Sequence, residues 1–361
     1  MLRKITFSVA AVAMLALIPP PVAQAGGRND VILGDVNGDG IEDRTVLGLA
    51  NRNRCTVTVQ LGIPGGQFEL PTSYPYLTVS ELPANCPDLG VAVNLDVDPA
   101  EEFVVAWFSG PPGDIEDTML VLDRFVVVNR LAGQFSPSFM GTADFNGDGR
   151  EDVYEQTDSG EGVSTFINTG DNTLVAGHEM CFLGAANLIV RGLHRTPDAA
   201  IVSTYLDDCE LASGVTILNG NGSTQVLQQD GGAAVSWSTI VLYANGDDLI
   251  DIRTTDSDGA VTTFYNGTNR IFESTFLAVT DDVTIQDATR TIIPVRDNDR
   301  AGPDATIAIH RKPSQGTATV RSDRTILYTP SKQHGPTDLF TYRLTENGRS
   351  STGTVNIQFV D

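Results

Sequence analysis

The sequence has little positive charge, and this scarcity excludes whole classes of partner. Of 361 residues, 23 are Lys or Arg and 46 are Asp or Glu, and no lysine occurs between Gly26 and Arg311. Nucleic acids are held through their phosphates by basic surfaces, so no nucleic-acid partner is expected. The excess of acidic residues instead favours an exported acidic protein, which would bind an unidentified protein or carbohydrate ligand.

The sequence also lacks the motifs of common enzyme classes. Its four histidines do not form an H-E-x-x-H pattern, and there is no G-x-S-x-G elbow, phosphate loop or dinucleotide fingerprint. A glycoside hydrolase needs only two carboxyl groups about 5–9 Å apart, and acids are abundant, but spacing alone nominates no pair. No catalytic residue is therefore predicted, and a propeller glycoside hydrolase stays as an alternative.

The one long apolar run lies at the N-terminus. Arg3 and Lys4 precede the apolar stretch 5–18, which is followed by prolines and by the A-x-A sequence at Ala23–Ala25. This arrangement is typical of a secretory signal peptide, predicted over residues 1–25. We expect the mature protein to be secreted, periplasmic or associated with the cell surface, with no membrane span after cleavage.

Cysteines are few but even in number. In an exported chain, four cysteines favour two disulfides over free thiols, and the sequence alone allows three connectivities. Proximity along the chain favours the pairs Cys55–Cys86 and Cys181–Cys209.

Composition predicts an all-β chain of two parts. The 35 glycines and 18 prolines indicate many turns. Residues 26–282 contain 38 acidic and 11 basic residues, whereas residues 283–361 contain 8 and 10. We therefore predict one domain over residues 26–281 and a second over residues 282–361.

The first of these domains is a repeat of about fifty residues. Each unit has a carboxylate-rich loop followed by two apolar strands, the second of which often ends in Asn or Asn-Gly. Oxygen-bearing side chains recur at positions 1, 3, 5 and 9 of three loops, which span Asp35–Asp43, Asn94–Glu102 and Asp144–Asp152. Tyr243–Asp251 is a degenerate copy, and the copy that begins at Gly192 lacks the ligands.

These loops and strand endings resemble the FG-GAP/VCBS repeats that also form the integrin α-chain propeller. The resemblance covers about residues 28–281 and implies a β-propeller with one four-stranded blade per repeat, hence about five blades. It also implies calcium in the loop between the first two strands of a blade. Repeats that cannot bury their faces alone must stack, which agrees with a propeller.

Calcium prefers six to eight oxygen ligands, and the loops offer side chains at positions 1, 3, 5 and 9 with the backbone carbonyl of position 7. The predicted Ca²⁺ ligands are Asp35, Asn37, Asp39, Ile41 and Asp43 in the first loop and Asp144, Asn146, Asp148, Arg150 and Asp152 in the third. A weaker set is Asn94, Asp96, Asp98 and Glu102, because Pro99 replaces the turn glycine. Asp144–Glu155 also fits an EF-hand, but the flanking sequence is not helical.

The last eighty residues resemble the cadherin-like bacterial Ig-like domains of surface proteins. The resemblance rests on 293–299 (I-P-V-R-D-N-D), 316–320 (G-T-A-T-V), 326–330 (I-L-Y-T-P), 340–342 (F-T-Y) and 353–355 (G-T-V). It implies a β-sandwich. Residues 300–304 replace the acidic stretch that usually follows Asn-Asp in that family, which argues against calcium in this domain. The combined prediction is a calcium-binding adhesion or surface-interaction module, with a hydrolase or a purely structural exported protein as alternatives.

Overall fold

The computed structural model describes residues 31–360 except 51–53, 79–85, 109–117, 134–136, 158–161, 183–184, 207, 210–211, 231–234, 268–269, 287–288 and 347–348. The predicted signal peptide lies outside the described residues. Every regular element within them is a β-strand, as the composition predicts.

Five consecutive sheets of four antiparallel strands make up the repeat region, each a meander in which chain neighbours pair. The first sheet contains β1 (Ile32–Gly34), β2 (Asp43–Ala50), β3 (Arg54–Gln60) and β6 (Thr72–Thr78), with the hairpin β4 (Gly62–Ile63) and β5 (Gln67–Phe68) beside it. The second contains β7 (Leu89–Val93), β8 (Glu102–Ala106), β9 (Thr118–Asp123) and β10 (Val126–Ala132). The third contains β11 (Pro137–Ala143), β12 (Asp152–Thr157), β13 (Val163–Asn168) and β14 (Leu174–Met180). The fourth contains β15 (Ala186–Arg191), β16 (Ala199–Tyr205), β17 (Ser213–Asn219) and β18 (Thr224–Asp230), and the fifth β19 (Trp237–Leu242), β20 (Asp251–Asp256), β21 (Val261–Asn266) and β22 (Phe272–Glu273).

The repeat sheets bury their apolar faces against one another in chain order. Four separate hydrophobic clusters join the first sheet to the second, the second to the third, the third to the fourth and the fourth to the fifth. Strands β8 and β17 are buried along their whole length because neighbouring sheets cover both of their faces. Among the described residues, no such cluster joins the fifth sheet to the first, and no sheet is closed on itself.

The C-terminal region is a sandwich of two sheets. One sheet has the order β23 (Asp281–Gln286), β29 (Arg349–Val360), β28 (Thr337–Glu346) and β25 (Thr306–Arg311), and the other β24 (Thr291–Ile293), β27 (Ile326–Pro330) and β26 (Gly316–Val320). Strands β23 and β29 are parallel, and the remaining pairs are antiparallel. The core between the sheets includes Tyr328, Phe340 and Tyr342, and it also takes in Phe276 and Ala278, which precede residue 282.

Two disulfides connect successive repeats. Cys55–Cys86 ties β3 to the segment before β7, and Cys181–Cys209 ties the end of β14 to the turn between β16 and β17. These are the two pairs that proximity along the chain favours. The described residues contain no helix long and apolar enough to cross a membrane.

Candidate metal-binding loops

Each carboxylate loop joins the first two strands of its sheet. The loops follow β1, β7, β11, β15 and β19, so the meander topology brings all five to the same end of the strands. Adjacent loops are in contact. The N–H of Glu101 donates to the backbone carbonyl of Asp35 at 2.8 Å, and the N–H of Ala199 donates to the backbone carbonyl of Asp144 at 2.6 Å. The donors occupy position 8 and the acceptors position 1, so the contact between loops repeats along the chain.

The first and third loops share one set of hydrogen bonds to the side chain at position 1. The carboxylate of Asp35 accepts from the N–H groups of Gly38, Asp39 and Gly40 at 2.8, 3.1 and 2.7 Å. Asp144 accepts from the residues three, four and five positions further on at 2.6, 3.2 and 2.8 Å. The glycines at position 6, Gly40 and Gly149, have φ of 82° and 89°, which favours glycine.

The side chains at positions 3 and 5 lie beside one another. In the first loop the Asn37 amide donates to Asp39 Oδ2 at 3.1 Å, while Asp39 Oδ1 accepts the N–H of Ile41 at 2.9 Å. The third loop repeats both bonds at 3.1 and 2.9 Å through Asn146, Asp148 and the N–H of Arg150. Asp39 and Asp148 are both exposed to solvent, but Asp148 Oδ2 already accepts from the Arg150 guanidinium at 2.7 Å.

Position 9 holds a buried carboxylate that connects two segments of backbone. Asp43 accepts from the N–H of Val36, in its own loop, at 3.0 Å and from that of Gly62, beyond the third strand, at 2.7 Å. Asp152 does the same with Phe145 at 2.7 Å and Asn168 at 2.8 Å. Asp251 of the degenerate fifth loop also accepts two such bonds, from Ala244 at 2.7 Å and Asn266 at 3.0 Å. Position 9 therefore joins the loop to the third strand even in a copy without the first ligand.

The recurring asparagine at the end of the third strand has a related role. The Asn168 side chain donates to the carbonyl of Asn94, in the preceding loop, at 2.8 Å, and that of Asn266 donates to the carbonyl of Leu193. His194 lies between two of these residues, with Nε2 2.8 Å from Asn219 Oδ1 and Nδ1 3.3 Å from Asn266 Oδ1. These asparagines connect one repeat to the previous one.

The second loop brings its carboxylates closest together. Carboxylate oxygens of Asp96, Asp98 and Glu102 all lie within 4.8 Å of one another, the one such trio of acidic, His or Cys ligands found among the described residues. Asp98 also pairs with Arg124 at 2.6 Å, and the Asn94 amide donates to the carbonyl of Asp98 at 2.6 Å. The loop ranked weaker for its Pro99 thus has a compact acidic set, with an arginine beside it.

Burial and mutual repulsion act together on the position-9 groups. Burial, opposed by the N–H of Leu95 and reinforced by the charges of Asp96, Asp123 and Asp98, raises the pKa of Glu102 to about 7. Burial, with a smaller contribution from the charge of Asp144, raises the pKa of Asp152 to about 6. The all-oxygen donor sets, crowded by like charge, fit a hard divalent cation.

The glutamates at position 8 of the loops form another group of acids, which the sequence analysis did not single out. Glu42, Glu101 and Glu151 line one cavity of about 640 Å³, between the first strands of the first four sheets. Arg191 contacts the Glu151 carboxylate through its two terminal guanidinium nitrogens, of which Nη2 lies 3.0 Å from Oε2. Glu101 Oε2 accepts the N–H of Asp35 at 2.8 Å. The recurrence of Glu at one loop position was the available signal.

Comparison with known families finds a match for the C-terminal part of the chain. The structure is that of an all-β protein with stacked four-stranded sheets and a terminal sandwich. Residues 274–358 match the family described as bacterial Ig domain, in agreement with the sandwich. No FG-GAP or VCBS repeat match was found for the chain. No curated protein matches the sequence.

Proposed function

We propose that this chain is an exported calcium-binding protein whose repeat region serves in adhesion or surface interaction. The observation that carries the proposal is the matched architecture of the first and third loops. In both, positions 1, 3 and 5 present oxygen side chains in the same hydrogen-bonded arrangement at one end of the sheets. Bound calcium would be held by these residues and would neutralise their crowded charge. The disulfides and the bacterial Ig domain are compatible with an extracellular location.

We further propose that the five sheets are blades of a propeller. Three observations support this arrangement: each repeat is a four-stranded meander, consecutive sheets share apolar clusters, and the first strands β1, β7 and β11 lie next to one another as inner strands would. A crystal structure of the mature chain tests it. Contact between the fifth and first sheets is the expected result, and an open stack would contradict it.

Calorimetric titration of the metal-stripped mature chain with calcium tests the metal proposal. The variants Asp39→Asn and Asp148→Asn remove one charge from an exposed ligand yet keep an oxygen to accept the N–H two residues on. We expect each variant to lose heat from one site and to weaken that site at least tenfold, because calcium affinity follows ligand charge.

The matched control is Asp247→Asn in the fifth loop. Asp247 accepts the N–H of Leu249 at 2.9 Å as Asp39 and Asp148 do, but Tyr243 stands at position 1, where they have an aspartate. We expect its titration to equal that of the wild type. Absence of calcium binding at millimolar concentration in the wild type would refute the proposal.

The position-8 cavity favours a second candidate, a glycoside hydrolase. Burial and the charges of Asp35, Glu151 and Glu42 raise the pKa of Glu101, while Arg191 keeps a cation against Glu151. Glycoside hydrolysis uses two carboxyl groups, one of them as a general acid, and Glu101 and Glu151 line the same cavity. Release of reducing ends from a polysaccharide panel, lost in Glu101→Gln and Glu151→Gln but kept in the exposed Glu179→Gln, would support it. Retention of a polysaccharide without turnover favours the binding module.

A further inference from the structure

Two acidic side chains at the start of the C-terminal domain, Asp281 and Asp299, each keep one carboxylate oxygen without a hydrogen-bond donor among the described residues. The side chain of Asp299, in the turn after β24, has 0% of its surface exposed, and Asp281 is the first residue of β23. The Oδ2 atoms of both are buried and have no hydrogen-bond partner among the described residues. A buried carboxylate oxygen without a donor is costly, so this pair needs an explanation.

The surroundings of the pair are rich in oxygen, and the one backbone N–H donor that the described hydrogen bonds place on them is that of Val279, 2.8 Å from Asp299 Oδ1. The Tyr342 hydroxyl is 2.7 Å from Asp299 Oδ1 and 3.2 Å from each of the carbonyl oxygens of Val279 and Val295, although it has one proton to donate. The same hydroxyl interacts with the carboxylate of Asp281. Two carboxylates, two carbonyls and a hydroxyl therefore meet in one place.

The nearest positive charge does not satisfy the pair. Arg296 Nε is 3.7 Å from Asp299 Oδ2, beyond hydrogen-bonding distance, and its terminal nitrogens donate to the carbonyls of Ala301, Gly302 and Ala305. Burial, and after it the charge of Asp299, raises the pKa of Asp281 to about 7. The two carboxylates thus repel each other, and Arg296, the cation beside Asp299, donates a hydrogen bond to neither of the unpartnered Oδ2 atoms.

Another buried aspartate of the same domain, Asp338, has hydrogen-bond donors for both of its carboxylate oxygens. Asp338 accepts from the N–H and hydroxyl of Ser314 at 3.0 and 3.1 Å, from the N–H of Gln315 at 2.9 Å and from the Tyr328 hydroxyl at 2.6 Å. This Tyr–Asp pair resembles that of Tyr342 and Asp299, but its carboxylate is surrounded by donors. Both oxygens of Asp338 therefore have donors, whereas Asp281 and Asp299 each leave Oδ2 without one among the described residues.

We propose that Asp281 and Asp299, with the neighbouring carbonyl oxygens, form a binding site for a hard divalent cation such as calcium. The oxygen-only donor set suits such an ion, and no histidine or cysteine is among these groups. Residues 300–304, whose sequence argued against calcium in this domain, supply none of the named ligands. The site is independent of the repeat loops and does not rest on their binding calcium.

The position of the site gives the cation a structural consequence. Val279 and Asp281 belong to the segment that leads from the last repeat strand, β22, into β23, whereas Val295 and Asp299 belong to the turn after β24. Leu277 and Arg300 already join these segments by reciprocal backbone bonds of 2.8 Å. A cation shared between them would hold the connection to the repeat region in one orientation.

Equilibrium dialysis of the metal-stripped mature chain tests the site by counting bound calcium. Asp281→Asn removes the charge with little change in size. Asp282→Asn is the matched control, because the Asp282 carboxylate accepts the Asn356 amide at 3.0 Å and has no part in the site. We expect Asp281→Asn to bind one calcium fewer than the wild type and Asp282→Asn to bind the same number. An unchanged count in Asp281→Asn overturns the proposal, whatever the repeat loops bind.

Terbium luminescence gives a second reading that leaves both carboxylates intact. The Tyr342 hydroxyl contacts Asp299, so tyrosine excitation should sensitise Tb³⁺ bound at this site. In an Asp39→Asn/Asp148→Asn background, we expect Tyr342→Phe to lose at least half of the calcium-displaceable emission. Undiminished emission would overturn the proposal. The repeat-loop proposal is read separately, from the calcium counts of Asp39→Asn and Asp148→Asn.

Discussion

The repeats and the C-terminal domain differ in the hydrogen bonds that their buried carboxylate oxygens accept. In the repeats, Asp43, Asp152 and Asp251 each accept backbone N–H groups from their own loop and from the end of the third strand. In the C-terminal domain, Asp281 and Asp299 each keep a buried oxygen without a donor among the described residues. The comparison teaches that acidity alone does not mark a metal site, since a carboxylate saturated by backbone donors supports the fold with or without a cation.

Removing the disulfides should have the largest effect and should separate the two regions. Both bridges lie in the repeats and close loops of about thirty residues, since their sequence separations are 31 and 28. Each should stabilise the repeats by about 3 kcal/mol through the entropy of the unfolded chain. We expect reduction to lower the urea midpoint for unfolding of the repeats. The fluorescence of Trp107 and Trp237, which both lie in the repeats, monitors this unfolding. Loss of the C-terminal domain at the same midpoint would contradict the expectation that reduction acts on the repeats alone.

Replacing a position-9 carboxylate should have the next largest effect. Asp152→Ala leaves the buried N–H groups of Phe145 and Asn168 without an acceptor, at a cost of roughly 2–3 kcal/mol in unfolding free energy. We expect this loss in urea titrations both with calcium and with chelator. The exposed Asp148→Ala serves as control and should change stability without calcium by less than about 0.5 kcal/mol. A loss seen only with calcium would show that Asp152 acts mainly as a ligand.

The smallest expected effect concerns the contact between the regions. Arg343 lies on β28, and its Nη2 is 2.9 Å from Oδ2 of Asp258 in the last repeat. His310 Nε2 lies 2.8 Å from the same oxygen. Because these groups are partly exposed, we expect Arg343→Met to cost no more than about 1 kcal/mol. Differential scanning calorimetry should then show the transitions of the two regions further apart. Unchanged coincident transitions would mean that the buried contacts, such as Thr354 with Asp230, govern the coupling.

The repeat pattern predicted much of the local structure. The loops fall between the first and second strands, the apolar runs become strands, and the disulfides join the nearest cysteines. These outcomes follow from interactions close along the chain, because turn chemistry and strand alternation are local. The calcium ligands and the closed propeller stay predictions.

Other features depend on contacts between residues far apart in the sequence. The meeting of Glu101, Glu151 and Arg191 in one cavity depends on how successive sheets stack. The role of Asp152 in joining its loop to Asn168 could not be distinguished from metal ligation, because the same residue type serves both purposes.

The sequence by itself determined that this is an all-β chain with an acidic, loop-bearing repeat and a distinct C-terminal part, since composition and periodicity select strands and turns. Only the tertiary structure decided which acids are satisfied by backbone donors and which are not. Hydrogen-bond donors reach a buried carboxylate from segments distant in sequence, such as Gly62 for Asp43. Three-dimensional packing equally leaves the Oδ2 atoms of Asp281 and Asp299 without a donor among the described residues.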